Sequence, residues 1–330
     1  MNISAQPLRS YRRIEFVKAS STSGKIAISR IHHEITEVNH QTPILFLHGA
    51  TVSSEFTCEY EMDGVSWMSY LLADGWASFG LDLPGYGRSD PYPDGGAQEV
   101  DPRRFGSAET VLGDIDNAVE WVLDKTSAEA LHLVAISRGA IPAGYYTSRY
   151  PKKVQSLTLH APITRKEGVA PEIIQELLGT PEVPKQPSFA LSALDRFRLL
   201  ESDRPSGTTT NLERSFIENW VQDYGRATPR VDGEDVGSRK IKTPIGFAVD
   251  IFDAWHGKYF DPRTIQCPTL ILRGDWDKLL TPASETQILF EELGSEEKYY
   301  IQLPHSTHSM LFEKSRFDMY RYVSEFLGKF

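Results

Sequence analysis

Residues 131–139 read LHLVAISRG. The run 131–136 is mostly apolar and lacks strict alternation, as expected of a strand buried on both faces of a parallel sheet. It stops at Ser137, and a helical pattern follows over 138–150. A serine at such a sharp strand-to-helix turn has a strained backbone, and its Oγ projects alone above the sheet. Strand and helix approach closely there, so residues two before and two after must be small. Gly139 meets that need, and Ala135 stands where the G-x-S-x-G pattern has its first glycine. As an ordinary helix N-cap, Ser137 would need no partners elsewhere. The partners found downstream favour the nucleophile turn.

Outward from this turn, short apolar runs alternate with helical patterns. Strands are expected at 25–31 (KIAISRI, in an edge region), 43–47 (PILFL), 76–83, 154–160, 268–273 and 297–302. Helical spacing marks 64–74 (Val65, Met68, Leu71, Leu72), 108–125 (Val111, Ile115, Val119, Val122), 283–292 and the closing stretch to Phe330. Alternation at this pace implies parallel strands with crossover helices. The rhythm breaks after Pro162, and 162–262 reads as irregular and helical, with prolines at 171, 181, 184, 187 and 205. Both ends of that segment return to one sheet. The expected organisation is an α/β core, 1–161 and 263–330, with a helical cap, 162–262, inserted after the sixth strand.

The chain has 330 residues and a net charge of −10. So acidic a surface repels phosphate backbones and anionic lipid, so neither nucleic acid nor a membrane surface is expected as a partner. No apolar run approaches the ~20 residues of a spanning helix. The first residues, MNISAQPLRSYRRIEF, lack a signal-peptide core. Two cysteines, Cys58 and Cys267, make no disulfide framework and suit a reducing compartment. A cytoplasmic protein is the expectation.

A serine hydroxyl needs a base to take its proton and a group to orient that base. In this architecture the chain order is serine, acid, histidine. Acid candidates lie in RGDWD, 273–277, at the end of strand 268–273. Asp277 stands far enough out on the loop to face a histidine, whereas Asp275 suits a local turn cap. His308, on the loop after strand 297–302, is preferred as base to His305, which directly follows Pro304. A metal at His305 and His308 lacks a third ligand at matching spacing. His48-Gly49-Ala50 ends strand 43–47, where Gly49 lets the backbone expose an amide. The amides of Ala50 and Arg138 are the expected oxyanion donors, with Thr51 the alternative to Ala50. GYGRS, 85–89, lacks the third glycine of a dinucleotide loop and reads as a rigid turn under the site.

Five pieces together resemble the α/β-hydrolase superfamily: ILFLHGA (44–50), LDLPGYGRSD (81–90), AISRG (135–139), LILRGDWD (270–277) and LPHSTHSMLFE (303–313). They span nearly the whole chain in the family's order. The resemblance implies an α/β-hydrolase fold and a Ser137–Asp277–His308 triad without cofactor or metal. Alanine at 135 occurs in some serine lipases, and serine at 137 argues against haloalkane dehalogenases and epoxide hydrolases, which use a carboxylate. The loops HGATVSSEF, DGVSWM and GYGRSDPYP look most like bacterial esterases that include macrolide-lactone esterases. The expected activity is hydrolysis of a small-molecule ester or lactone, with a macrolide lactone as the specific expectation. Ten aromatics between Phe189 and Phe260 imply cap core plus a wide apolar pocket for a bulky substrate. Alternatives are a thioesterase, C–C hydrolase or peptidase of this fold, a hydroxynitrile-type lyase, or a non-catalytic receptor. The Arg138 side chain is expected to reach either a cap carboxylate or a polar group of the substrate.

Overall fold

The computed structural model describes residues 10–33, 42–93, 101–165, 187–227, 230–231, 238–278 and 282–330. Pro171, Pro181, Pro184 and the first nine residues lie outside these. The central sheet has eight strands: β1 (Ser10–Lys18), β2 (Lys25–His33), β3 (Ile44–Leu47), β4 (Ser78–Asp82), β5 (Leu131–Ile136), β6 (Val154–His160), β10 (Thr269–Gly274) and β11 (Lys298–Leu303). Their order is β1-β2-β4-β3-β5-β6-β10-β11. The β1–β2 and β2–β4 pairs are antiparallel and the rest are parallel.

Side chains of successive strand residues point to opposite faces, and both faces are covered. Phe46, Val134, Ile136 and Leu272 pack against α1 (Trp67–Ala73) and α8 (Arg316–Leu327). Leu45, Leu47, Leu133, Ala135 and Ile271 pack on the other face with α2 (Ala108–Thr126), α3 (Ala140–Arg149) and α7 (Ala283–Glu292). This is why 131–136 is fully buried without alternation.

The chain between β6 and β10 departs from expectation. Besides α4 (Ala193–Glu201), α5 (Arg214–Tyr224) and α6 (Gly246–Trp255), it forms a small antiparallel sheet. Its strands are β7 (Ser188–Ser192), β8 (Arg230–Val231) and β9 (Lys240–Pro244), in the order β7-β9-β8. β9 reads KIKTP, where Ile241 is the one strongly apolar signal, and pairing with β7 some fifty residues away in sequence makes it a strand. β1 was likewise invisible to apolar patterning. Its Ile14 and Phe16 are 38% and 52% exposed, as befits an edge strand lined with charge.

Candidate active site

Ser137 follows β5 with φ of +54°, a left-handed conformation unusual for serine. It opens a short 3₁₀ turn that runs into α3. A Cβ at Gly139 would lie 2.7 Å from the His48 carbonyl oxygen, so a small residue there is obligatory. Gly49 is in the same position relative to Ser137, since its added Cβ would come within 3.2 Å of the Ser137 Cβ. The turn after β3 and the turn after β5 therefore touch. Neither the Ala50 nor the Arg138 amide donates to a backbone carbonyl across these loops among the described residues.

Three side chains distant in sequence meet here. His308 Nε2 lies 2.8 Å from Ser137 Oγ, and His308 Nδ1 lies 2.9 Å from Asp277 Oδ2. Asp277 is fully buried and the His308 side chain is 14% exposed. Burial opposes the imidazolium, but the charge and hydrogen bond of Asp277 outweigh it, so the pKa of His308 is raised above 6.5.

The loops that carry the acid and the histidine are joined to each other. Trp276 N donates to Ser306 O (2.9 Å) and Asp275 N to Leu303 O (3.0 Å). Asp275 Oδ1 accepts from Ser306 N at 3.0 Å, so Asp275 caps a turn and does not face His308. His305 is exposed, has a φ of +55° and packs its ring on Trp276. Arg273 donates to the Asp277 carbonyl.

A buried carboxylate braces the loop that carries His308. Glu313, 2% exposed, accepts from Thr307 N (3.1 Å) and from Thr307 Oγ1 (2.5 Å), and Thr307 Oγ1 accepts from Ser309 N (3.1 Å). One carboxylate thus braces the residues on both sides of His308. Burial pushes its pKa up to about 7, against the lowering effect of the Thr307 hydrogen bonds. His160, at the end of β6, is fully buried and held down to about 3 by burial and by the charge of His308. Its sequence context marks it only as a strand residue.

His48 is structural. Its Nδ1 is 2.8 Å from Gly49 O, its Nε2 accepts from Leu83 N (3.1 Å), and burial lowers its pKa to about 4. Tyr86 of the GYGRS turn packs on it with ring centroids 4.4 Å apart. Arg88 of that turn bonds the buried Asp82 and Glu59, and Asp82 in turn accepts from Ser54 N. The turn therefore underpins the loop after β3.

Arg138 points away from Ser137. Its Nε donates to Asp250 Oδ2 on α6 at 2.6 Å, a guanidinium nitrogen donates to Gly106 O, and Asp250 Oδ1 accepts from Ala108 N at 2.7 Å. Of its two expected roles, the carboxylate contact is the one the structure contains. Among the described residues, no group of three His, Cys, Asp or Glu is placed to hold a metal, and no helix is long and apolar enough to cross a membrane.

The chain belongs to the family defined by the alpha/beta hydrolase fold, whose model matches residues 42–315. It is 24% identical over 252 residues to the uncharacterized hydrolase YcgS of Bacillus subtilis, covering 72% of this chain and 76% of that one. Solved structures agree in fold. An esterase from Exiguobacterium antarcticum superposes with a TM-score of 0.62 at 19% identity, covering 95% of this chain and 98% of that one. A thioesterase domain from the curacin biosynthetic pathway superposes with 0.61 at 18%, covering 96% and 98%. An epoxide hydrolase from Vigna radiata gives 0.62 at 16%, covering 97% and 99%.

Proposed function

We propose that this chain is a serine esterase that hydrolyses a carboxylic ester or lactone through an acyl-enzyme. The observation that carries the reading is the unbroken hydrogen-bonded line from Asp277 through His308 to Ser137. His308 Nε2 takes the Ser137 proton as Oγ attacks the ester carbonyl carbon. Asp277 holds the Nδ1–H tautomer and stabilises the imidazolium. The Ala50 and Arg138 amides receive the oxyanion, each such donor contributing about 10²–10³ in turnover. His308 then returns the proton to the leaving alcohol. A water, activated by the same histidine, cleaves the acyl-enzyme and restores Ser137. No step calls for a metal or cofactor.

Segment 162–262 acts as the cap that selects substrate. Its Trp220 donates to Phe56 O at 3.3 Å and its Tyr224 to Thr51 O at 2.7 Å, beside the oxyanion loop. Phe216, Trp220 and Tyr224 are buried against Phe56 and Phe312 of the α/β core, and Phe247 packs in a separate cluster with Ala108 and Ile141. The side chain of Phe197 lies outside the described residues. The narrower reading, a macrolide lactone, rests on the loop likeness and this aromatic content. Gain of one water by sixteen-membered macrolides, read by mass, tests it, and no gain sinks it.

The class reading is tested by a fluorophosphonate. Stoichiometric mass addition to the wild type, abolished in Ser137→Ala together with a loss of about 10⁶ in kcat, is expected. Near-wild-type turnover by Ser137→Ala would overturn the assignment.

A further inference from the structure

Arg196 lies on α4, and its charge acts on His308, lowering the pKa of that imidazole. It shares its surroundings with Tyr86 and Tyr224. Those two tyrosines frame the oxyanion loop, Tyr86 packing on His48 and Tyr224 bonding Thr51 O. Every other arginine on α4 and the loop after it has a counter-ion: Arg198 pairs with Asp195 and Arg204 with Glu201. Arg196 forms no ion pair or hydrogen bond with any described residue. Its Nε is sealed from solvent without an acceptor. The residue as a whole is half-buried. The buried Tyr86 hydroxyl beside it also has no acceptor for its hydrogen. Besides Asp277, the charge of Asp203 also acts on His308, and Asp203 has an interaction of its own.

A guanidinium stripped of water and left uncompensated is costly, and burial lowers the pKa of Arg196 accordingly. A protein that holds one beside a reaction centre recovers that cost when an anion arrives. One unpaired charge matches a monoanion, and the planar fork of a guanidinium matches a carboxylate. The net charge of −10 disfavours polyanions.

We propose that Arg196, with the Tyr86 hydroxyl, binds a carboxylate on the substrate, so that the enzyme prefers esters carrying a free carboxylate. The proposal rests on the esterase reading above and deepens it. A substrate with a protonated amine in the same place is disfavoured.

The experiment measures kcat/KM on matched pairs. Mono-(4-nitrophenyl) esters of succinate, glutarate and adipate are compared with neutral acyl esters of equal length. 4-Acetoxybenzoate is compared with 4-methylphenyl acetate, to place the carboxylate on the alcohol side. The wild type should prefer the anionic member of at least one pair. Arg196→Met should reduce that preference about 10- to 100-fold, and Arg196→Lys should keep part of it. Arg198→Met, which removes an exposed charge from the same helix, should leave the ratio unchanged. No preference in the wild type, a ratio unmoved by Arg196→Met, or an equal effect of Arg198→Met would overturn the proposal. Should Ser137 take no fluorophosphonate label and no ester turn over, the esterase reading fails on its own. Anion binding is then read by thermal shift. A rise in Tm with glutarate or 4-hydroxybenzoate in wild type and not in Arg196→Met supports the site, and no rise refutes it.

Discussion

Asp250→Ala is expected to be among the most damaging single changes outside the triad. Arg138 is fully buried and Asp250 is 5% exposed, so neither charge has water to fall back on. The carboxylate bonds the Arg138 guanidinium and the Ala108 amide, while Arg138 also bonds Gly106 O. Removing Asp250 leaves a buried cation and an orphaned amide, which costs on the order of 3–5 kcal/mol. Replacing both partners by apolar residues, as in Arg138→Met with Asp250→Leu, removes the stranded charge. It still leaves the Gly106 carbonyl and the Ala108 amide unpaired, at about 1–3 kcal/mol each. The double variant should therefore cost less than the sum of the singles, by roughly 2 kcal/mol or more. Urea unfolding followed by tryptophan fluorescence measures all three, compared at matched slopes. The singles should also slow turnover, because the oxyanion amide proposed for Arg138 comes from the turn its side chain anchors. If Asp250→Ala costs less than about 1 kcal/mol, or if the two changes simply add, then the ion pair does not hold α6 to the nucleophile turn as argued.

Two further outcomes follow from the charges around His308. His308 must be neutral to accept the Ser137 proton, and its pKa is raised above 6.5. The acid limb of kcat/KM should therefore fall off with a midpoint above 6.5, and Asp277→Asn should move that limb to lower pH while reducing kcat by about 10⁴; an unmoved limb would show that Asp277 does not set the titration. Glu313 rises from 4.5 to about 7 on folding, so the folded state holds its proton more tightly. Its contribution to stability is present below pH ~4.5 and lost as pH rises through about 7, a loss on the order of 2–4 kcal/mol. Glu313→Gln should flatten stability across that window in urea titrations at successive pH values, and an unchanged pH dependence would refute the assignment.

Much of the core was legible along the chain because its strands are buried on both faces. Burial on both sides leaves a run of apolar residues that needs no partner to be recognised, as at 131–136, and the turns that end such runs carry Gly49, Ser137 and Asp277. Glu313 closes the last motif, but nothing in its own neighbourhood says that it folds back on Thr307. The strands around Ile14 and Ile241 were not legible, because each is defined by a ladder to residues elsewhere and not by its own apolar pattern.

The residues named as nucleophile, acid and base came from order and turn chemistry, which are local properties of a sequence. What each remaining charge faces is a different kind of fact. That Arg138 turns to Asp250, that Asp275 caps Ser306 while Asp277 meets His308, and that Arg196 has no counter-ion among the described residues all depend on contacts between segments far apart in the chain. Ion pairing falls off over a few ångströms, so it is decided by where the backbone brings side chains and not by which side chains are present.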